Sequence, residues 1–131
     1  MPNHWLRAAA VTAAIMLGTP AGAISGQQLL KQCEALDRGV VQKGGAVAIP
    51  GSRDAVECWA YMAAVQDFAG TVQQEGGPSI LGSCPSSDTT RLDFVRAFLR
   101  YGRGHPADLD LKASVAVILA LQSVYPCTPR P

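Results

Sequence analysis

Apolar residues recur at helical spacing in four segments of the chain, and each pattern predicts a helix. The most regular segment covers residues 53–72, with Ser52 placed to cap its first turn. Its apolar stripe consists of Cys58, Tyr61, Met62, Val65, Phe68, Ala69 and Val72. A shorter segment, residues 25–36, repeats the arrangement with Ser25 as the cap. We expect both helices to turn their stripes towards one core.

A third helix is predicted from about Thr90, because Asp93 follows three residues later as in a capping box. Its apolar side carries Leu92, Val95, Phe98 and Leu99. The other side carries a stripe of Arg96, Arg100 and Arg103, which is typical of a solvated face, with a docking surface for an acidic partner as the alternative. The Gly-Arg-Gly sequence around Arg103 is expected to end this helix.

The last segment, residues 110–124, is apolar almost all round, which is typical of a helix surrounded by neighbours. Its unbroken apolar part, residues 115–121, is too short for a membrane span, which takes about 20 residues. Its length, its alanines and leucines and the cap-forming Asp110 favour a helix over a buried strand. We therefore predict a central helix that ends before Pro126.

Two loops rich in glycine connect the helices. Residues 37–52 hold two short apolar runs around a Gly-Gly pair, which could form a small hairpin or an irregular loop. Residues 73–88 combine glycine, proline and serine over an unusually long connection, and such loops are commonly functional or disordered. This second loop carries Cys84, together with Ile80 and Leu81, which either pack onto the core or form an exposed tip.

The first residues of the chain differ in kind from the rest. His4 and Arg7 precede an apolar run at residues 8–17, and small residues follow it. This is the pattern of a secretory signal peptide, with cleavage expected after Ala23. The run is about half as long as a membrane-spanning helix requires. Residues 24–131 then form a single domain, which is long enough to bury one core.

Charge narrows the range of partners. The chain has 11 lysines and arginines against 10 acidic residues, and Arg7 lies in the segment that is expected to be removed. The remaining domain is therefore close to neutral. A neutral domain has no broad attraction for nucleic acid or for anionic lipid, so neither is expected as a partner, and no membrane insertion is expected after cleavage.

Four cysteines in a small exported domain indicate two disulfides. Three pairings are formally open. Cys33 and Cys58 both fall on apolar helix faces, which favours a bridge between two packed helices, and the second predicted bridge joins Cys84 to Cys127. A zinc site is disfavoured, because the chain has no C-x-x-C pair and only one histidine after residue 23.

Motifs for catalysis are missing from the sequence. Oxidised cysteines leave no thiolate nucleophile, and no G-x-S-x-G, H-E-x-x-H or phosphate-loop motif occurs. His105 precedes Pro106, where a structural role at a turn is expected rather than a catalytic one. The sequence therefore predicts a protein that is not an enzyme and that needs no cofactor or metal.

Four motifs, taken in order, resemble the Rap/Tai type of immunity protein, which neutralises peptidoglycan amidases delivered by type VI secretion. The motifs are G-x-x-L-L-x-x-C at residues 26–33, Cys58 with Tyr61 and Asp67, Cys84 with a following threonine, and His105-Pro106 with Ala113-Ser114 and Tyr125-Pro126-Cys127. The resemblance covers nearly all of residues 24–131. Departures are Ala60 and Ala64, where the family tends to have glycine, and Gly102, where leucine is expected.

The resemblance implies an all-helical, disulfide-bonded periplasmic protein, often a homodimer, that inserts a protruding loop into the active-site groove of its cognate amidase. Residues 73–88 are the candidate loop, and the residues predicted nearest its tip are Ser79, Ile80, Leu81, Ser86 and Ser87. Two alternatives remain. A small acid-stress chaperone would expose apolar surface when its carboxylates are protonated, and an envelope interaction module would use the arginine stripe.

Overall fold

The computed structural model describes residues 22–71 and 77–128, which form four α-helices, one short 3₁₀ helix and a two-stranded hairpin. The elements in chain order are α1 (Gly26–Gly39), β1 (Val41–Lys43), β2 (Ala46–Ala48), α2 (Arg53–Ala69), α3 (Arg91–Gly104), the 3₁₀ helix (Pro106–Asp110) and α4 (Ala113–Val124). The predicted four-helix architecture is confirmed, but the fold is mostly helical rather than strictly all-α. Nearly all of the predicted signal peptide, residues 1–21, lies outside the described residues.

Helix α1 begins as the sequence predicts, because the Ser25 hydroxyl accepts a hydrogen bond from the backbone N–H of Gln28. Its buried stripe includes Leu29, Cys33 and Leu36, none of which is exposed. The helix packs on α2, α3 and α4. It therefore shares the centre of the bundle with α3, which also packs on the three other helices, although the sequence of α1 is less apolar than that of α4.

The segment between α1 and α2 is a hairpin, which decides between the two alternatives for residues 37–52. Strands β1 and β2 pair antiparallel, with Gln42 opposite Val47. Both turn residues have positive φ, 57° at Gly44 and 82° at Gly45, a backbone conformation that glycine adopts without a steric penalty. The hairpin stands off the core, and Val41 is 58% exposed.

Helix α2 buries a narrower face than its apolar pattern suggested. Its Ser52 hydroxyl accepts from the N–H of Ala55, and the fully buried positions include Cys58 and Met62. Phe68 was placed on the core stripe, and this was wrong, because its side chain is 55% exposed. Helix α2 packs on α1 and α3, and Phe68 instead lines an open groove that α2 forms with α4. Its last predicted member, Val72, lies outside the described residues.

Helix α3 carries the predicted capping box. Asp93 N–H donates to the Thr90 hydroxyl at 3.2 Å, and a carboxylate oxygen of Asp93 accepts from Thr90 N–H at 2.8 Å. The helix ends at Gly104, the last residue of the Gly-Arg-Gly sequence, so the predicted end is confirmed. Gly102 also serves packing, because a Cβ there would lie 2.9 Å from Leu30 Cδ1 and 3.1 Å from Leu109 Cδ2.

The capping box predicts a specific dependence of stability on pH. Hydrogen bonds from Thr90, its hydroxyl first and its backbone N–H second, hold the pKa of the Asp93 carboxyl below its ordinary value. The stabilisation is therefore complete above the unfolded pKa of about 3.9 and is lost as pH falls through the lower folded pKa. We expect Asp93→Asn to be less stable at pH 7 and to lose less stability below about pH 4.

Urea denaturation at a series of pH values measures this effect. Asp88→Asn is the matched control, because Asp88 is also a carboxylate near the start of α3 but makes no side-chain hydrogen bond among the described residues. An equally steep acid loss in wild type and Asp93→Asn would contradict the prediction.

Helix α4 differs from its prediction in both start and position. Residues Pro106–Asp110 form the 3₁₀ helix, so Asp110 caps nothing, and α4 starts at Ala113 after Lys112. Its buried face consists of Ala113, Ala116, Val117, Ala120 and Leu121. The opposite side is open, and Val115 is exposed. The helix is thus peripheral, and its apolar outer side belongs to a groove described below.

Close packing of α1 against the 3₁₀ helix makes Gly26 a second sensitive position. A Cβ at Gly26 would lie 2.8 Å from Leu109 Cα and 2.9 Å from its carbonyl oxygen, both of them backbone atoms. We expect Gly26→Ala to lower the free energy of unfolding by about 1–3 kcal/mol, although alanine is the better helix former. Gly104→Ala is the control, since a Cβ there meets nothing within 4 Å. Equal urea midpoints for both variants would contradict the prediction, because a Cβ at position 26 would then fit against Leu109 without loss of stability.

Candidate functional site

A loop between α2 and α3 is fixed to the body of the protein at several points. We call residues 77–89 the anchored loop. Ile80 N–H donates to the carbonyl of Thr71 at 2.9 Å, and Cys84 N–H donates to the carbonyl of Tyr125 at 2.9 Å. The Gln122 amide donates to the carbonyl of Leu81 at 3.0 Å. These bonds hold the loop against the end of α2 and along the last turns of α4.

Within the anchored loop, residues 79–83 form a tight turn. Ser79 N–H donates to the Ser83 carbonyl at 3.2 Å, and Gly82 N–H donates to the Ser79 carbonyl at 2.9 Å. Gly82 has φ of 70°, a conformation that favours glycine. Its backbone also lies close to Gln122, whose Nε2 would be 2.8 Å from an added Cβ. The turn therefore has a defined shape before any partner arrives.

Two disulfides have the predicted pairing, Cys33 with Cys58 and Cys84 with Cys127. The first joins α1 to α2 inside the core, where both sulfur-bearing residues are fully buried. The second joins the anchored loop to the residues that follow α4. One bridge therefore supports the bundle, and the other supports the loop.

The five predicted tip residues are placed differently from one another. Ser79, predicted to lie near the tip, is only 3% exposed, and its hydroxyl accepts from the N–H of Leu81. Leu81 is half-buried and packs on the core cluster. Ile80 is 41% exposed, and Ser86 and Ser87 are also exposed. The turn points Ser79 inward and leaves Ile80 as its apolar exposed residue.

An apolar groove with a volume of about 290 Å³ lies between α2 and α4 beside the anchored loop. It is lined by Tyr61, Ala64, Val65, Phe68, Leu81, Ser114, Val117 and Ile118. Burial raises the pKa of the Tyr61 phenol, which lies in the lining of the groove. The sequence analysis missed this groove, although two signals pointed to it: the wide stripe of α2 and the apolar outer side of α4.

A second, charged pocket of about 250 Å³ lies at the other end of the anchored loop. It is lined by Ser86, Asp88, Thr89, Asp93, Arg96, Arg100 and Tyr125, and we call it the arginine pocket. Arg96 Nε lies 3.5 Å from an Asp37 carboxylate oxygen. Two of the three arginines in the predicted stripe thus line the pocket together with loop residues.

His105 is engaged within its own turn. Its ring stacks on Tyr101 at 4.1 Å between centroids, and its Nδ1 is 3.0 Å from the Tyr101 carbonyl oxygen. The Tyr101 hydroxyl donates to Asp108 at 2.7 Å, which raises the pKa of the phenol. The three side chains fix the passage from α3 into the 3₁₀ helix.

The described residues around the anchored loop form an apolar groove and the arginine pocket. Among residues 22–71 and 77–128, no group of three or more histidine, cysteine, aspartate or glutamate side chains is arranged to hold a metal ion. All four cysteines are paired. Within the same ranges, none of the helices has the length and apolarity needed to cross a membrane. The prominent feature is a rigid loop between an apolar groove and a charged pocket.

A family model described as Rap1a immunity proteins matches residues 25–127 of the chain. The match starts at the cap of α1 and ends at Cys127, so it includes every helix, both disulfides and the anchored loop. No curated protein and no solved structure matches the chain.

Proposed function

The chain belongs to the Rap1a immunity protein family, and from this we propose that it is a periplasmic immunity protein that neutralises a peptidoglycan amidase. In this proposal the amidase is a toxin delivered by type VI secretion, and the anchored loop closes its active-site groove. The immunity protein itself does no chemistry. The family membership supports a toxin as partner, and the loop geometry supports the mode of binding.

The observation that carries the proposed mode is the fixation of the loop at residues 80–84. Thr71, Gln122 and Tyr125 bond its backbone, and the disulfide to Cys127 fixes its middle. A segment that is ordered before binding loses less conformational entropy when it enters a groove. The loop can therefore bind with most of its ordering already complete.

The disulfides support a periplasmic location, which the proposed function requires. Two disulfides form and persist in oxidising compartments such as the bacterial periplasm, where peptidoglycan is also found. The predicted signal peptide agrees with export. A homodimer stays a prediction from the family resemblance, and light scattering on the purified protein measures it.

The experiment that tests the function is capture of the partner. Residues 24–131, with both disulfides formed, serve as bait against the secreted and periplasmic proteins of the producing organism, and captured proteins are identified by mass. We expect one peptidoglycan hydrolase in stoichiometric amount. A folded bait that captures no hydrolase would contradict the proposed function.

The loop is tested separately by charge placed at its apolar tip. We expect Ile80→Asp to weaken binding of the captured hydrolase by about tenfold or more, because a carboxylate would be desolvated in the interface. Val41→Asp is the matched control, since it changes an exposed β-branched residue on the hairpin in the same way. Equal affinities for the two variants would show that the loop does not lie in the interface. The identity of the captured partner would still stand.

A further inference from the structure

The two disulfides differ in how far solvent reaches them. We call Cys33–Cys58 the core bridge and Cys84–Cys127 the loop bridge. Both residues of the core bridge are 0% exposed, whereas Cys84 is exposed and Cys127 is half-buried. The backbone around the loop bridge also lies at the surface. Its exposed neighbours are Gly82, Pro126 and Thr128.

We infer that the loop bridge is a redox-sensitive switch, which a dithiol opens in the folded protein and which thereby releases the anchored loop. Access of a thiolate to the sulfur atoms limits the rate of disulfide exchange, and exposed bridges are the ones that respond to the redox state of a compartment. The core bridge stays closed, because a thiolate reaches it only when the bundle opens. Only the effect on the partner rests on the proposed function.

The reaction is a thiol–disulfide exchange with a dithiol, either a dithiol oxidoreductase or a small reagent such as dithiothreitol. A thiolate of the dithiol attacks Sγ of Cys84, the more exposed cysteine, and the Cys127 sulfur leaves as a thiolate and takes up a proton. The second thiol of the reagent then displaces the Cys84 sulfur, which is protonated in turn. The bridge gains two electrons and two protons, and the dithiol loses the same and becomes a disulfide.

The loop bridge is the covalent attachment of the anchored loop to the segment after α4. When it opens, the loop is held by its hydrogen bonds and by the packing of Leu81. Hydrogen bonds at a surface compete with water, so the loop then samples more conformations. The bond from Cys84 N–H to the Tyr125 carbonyl, at 2.9 Å, keeps the two sulfur atoms close. A disulfide oxidant such as glutathione disulfide therefore closes the bridge by the reverse exchange.

The bundle is stabilised independently of the loop bridge. The core bridge joins α1 to α2 among fully buried side chains that include Leu29 and Met62. Trp59 directly follows Cys58, and the guanidinium carbon of Arg91 on α3 lies 4.7 Å from the centroid of its ring. Trp59 is the only tryptophan after residue 23, so its fluorescence reports on the packing of α2 and α3 while the loop changes.

The first test measures the reduction of each bridge in the folded, oxidised protein. Dithiothreitol is added at about 1 mM, free thiols are blocked with iodoacetamide at a series of times, and modified cysteines are identified by mass. We expect Cys84 and Cys127 to be modified about 100-fold faster, or more, than Cys33 and Cys58. In urea that unfolds the protein, the difference should disappear. Equal rates in the folded protein would overturn the inference.

Two matched variants assign the reactivity to position in the fold. Cys84→Ser/Cys127→Ser retains the core bridge alone and should resist the same dithiothreitol. Cys33→Ala/Cys58→Ala retains the loop bridge alone and should lose it as fast as wild type does. Rapid reduction of the core bridge in the first variant, with its helices intact by circular dichroism, would overturn the inference. Where a variant does not fold, the wild-type time course decides.

Selective reduction should loosen the loop and leave the bundle unchanged. We expect the N–H of Ile80, which donates to the Thr71 carbonyl, to exchange with solvent about tenfold faster or more. The helical circular dichroism and the emission of Trp59 should stay the same, and glutathione disulfide should restore slow exchange. Unchanged exchange at Ile80, or loss of the helical signal together with the loop bridge, would overturn the inference.

The captured hydrolase supplies the functional readout. The selectively reduced protein should bind it about tenfold more weakly, because the loop must then be ordered on binding, and the reoxidised protein should bind as before. Equal affinity of the oxidised and the reduced protein would overturn the switch while leaving the proposed function in place. If no hydrolase is captured, the proposed function fails, and the reduction and exchange measurements decide on the switch by themselves.

Discussion

Replacement of Cys33 and Cys58 together by alanine is expected to lower the free energy of unfolding by about 3 kcal/mol. The bridge spans 25 residues of sequence and joins α1 to α2, and both cysteines are fully buried in the core. Its loss frees the unfolded chain from a crosslink and also removes packed sulfur atoms. A domain of this size has a total margin of about 5–15 kcal/mol, so this is a large fraction.

Urea denaturation of the double variant, with Cys84–Cys127 kept oxidised, measures this loss. Far-ultraviolet circular dichroism in water should show that the helices remain, because the other core residues around α1 are unchanged. A decrease of less than about 1 kcal/mol would mean that the bridge adds little to the packing of α1 on α2.

Replacement of Cys84 and Cys127 by alanine is expected to weaken partner binding as well as stability. This bridge spans 43 residues and ties the anchored loop to the segment after α4. Without it, the loop must be ordered on binding, and we expect the affinity for the captured hydrolase to fall by about tenfold or more. Stability should also fall, by about 3–4 kcal/mol.

Amide hydrogen exchange distinguishes a loosened loop from a loosened bundle. In the Cys84→Ala/Cys127→Ala protein, the N–H groups of Ile80 and of residue 84 should exchange faster than in wild type. The N–H groups in the middle of α1 should still exchange only through global unfolding, at the rate that the stability of the variant gives. The Cys33→Ala/Cys58→Ala protein is the matched control, since it loses a bridge but keeps the loop, and it should bind normally where it is folded. Equal affinity of wild type and the Cys84→Ala/Cys127→Ala protein would contradict preorganisation of the loop.

Local signals in the sequence were sufficient for much of the fold. The serine caps of α1 and α2 and the capping box of α3 depend on residues three positions apart, so they can be read without tertiary information. The pairing of Cys33 with Cys58 followed from two helix faces that each needed a partner. The Gly-Gly pair likewise has positive φ, as a short hairpin turn requires.

Other features depend on distant contacts and could not be obtained in the same way. Apolarity on all sides suggested that α4 was central, but part of its surface lines a groove instead. Gly102 suggested only the nearby helix end, whereas the residue is also small because Leu30 and Leu109 pack against it. In both cases the residue type indicates that the position is constrained. Only the tertiary structure shows which neighbouring residues or which groove impose the constraint.

The candidate site likewise has features that the sequence predicts and features that only the tertiary structure shows. Length, composition and Cys84 marked the loop, because these properties are local in sequence. Burial of Ser79 depends on a turn closed by Ser83, and the arginine pocket depends on Tyr125 being brought beside α3. A single sequence contains no local sign of either arrangement.

The most direct measurement is peptidoglycan digestion by the captured hydrolase in the presence of increasing amounts of the oxidised domain. If the anchored loop closes the active-site groove, release of cleaved peptide should stop at about one equivalent of wild-type protein, and Ile80→Asp should require a large excess. Full digestion with all of the hydrolase in complex would contradict the claim, because the domain would then bind away from the active site.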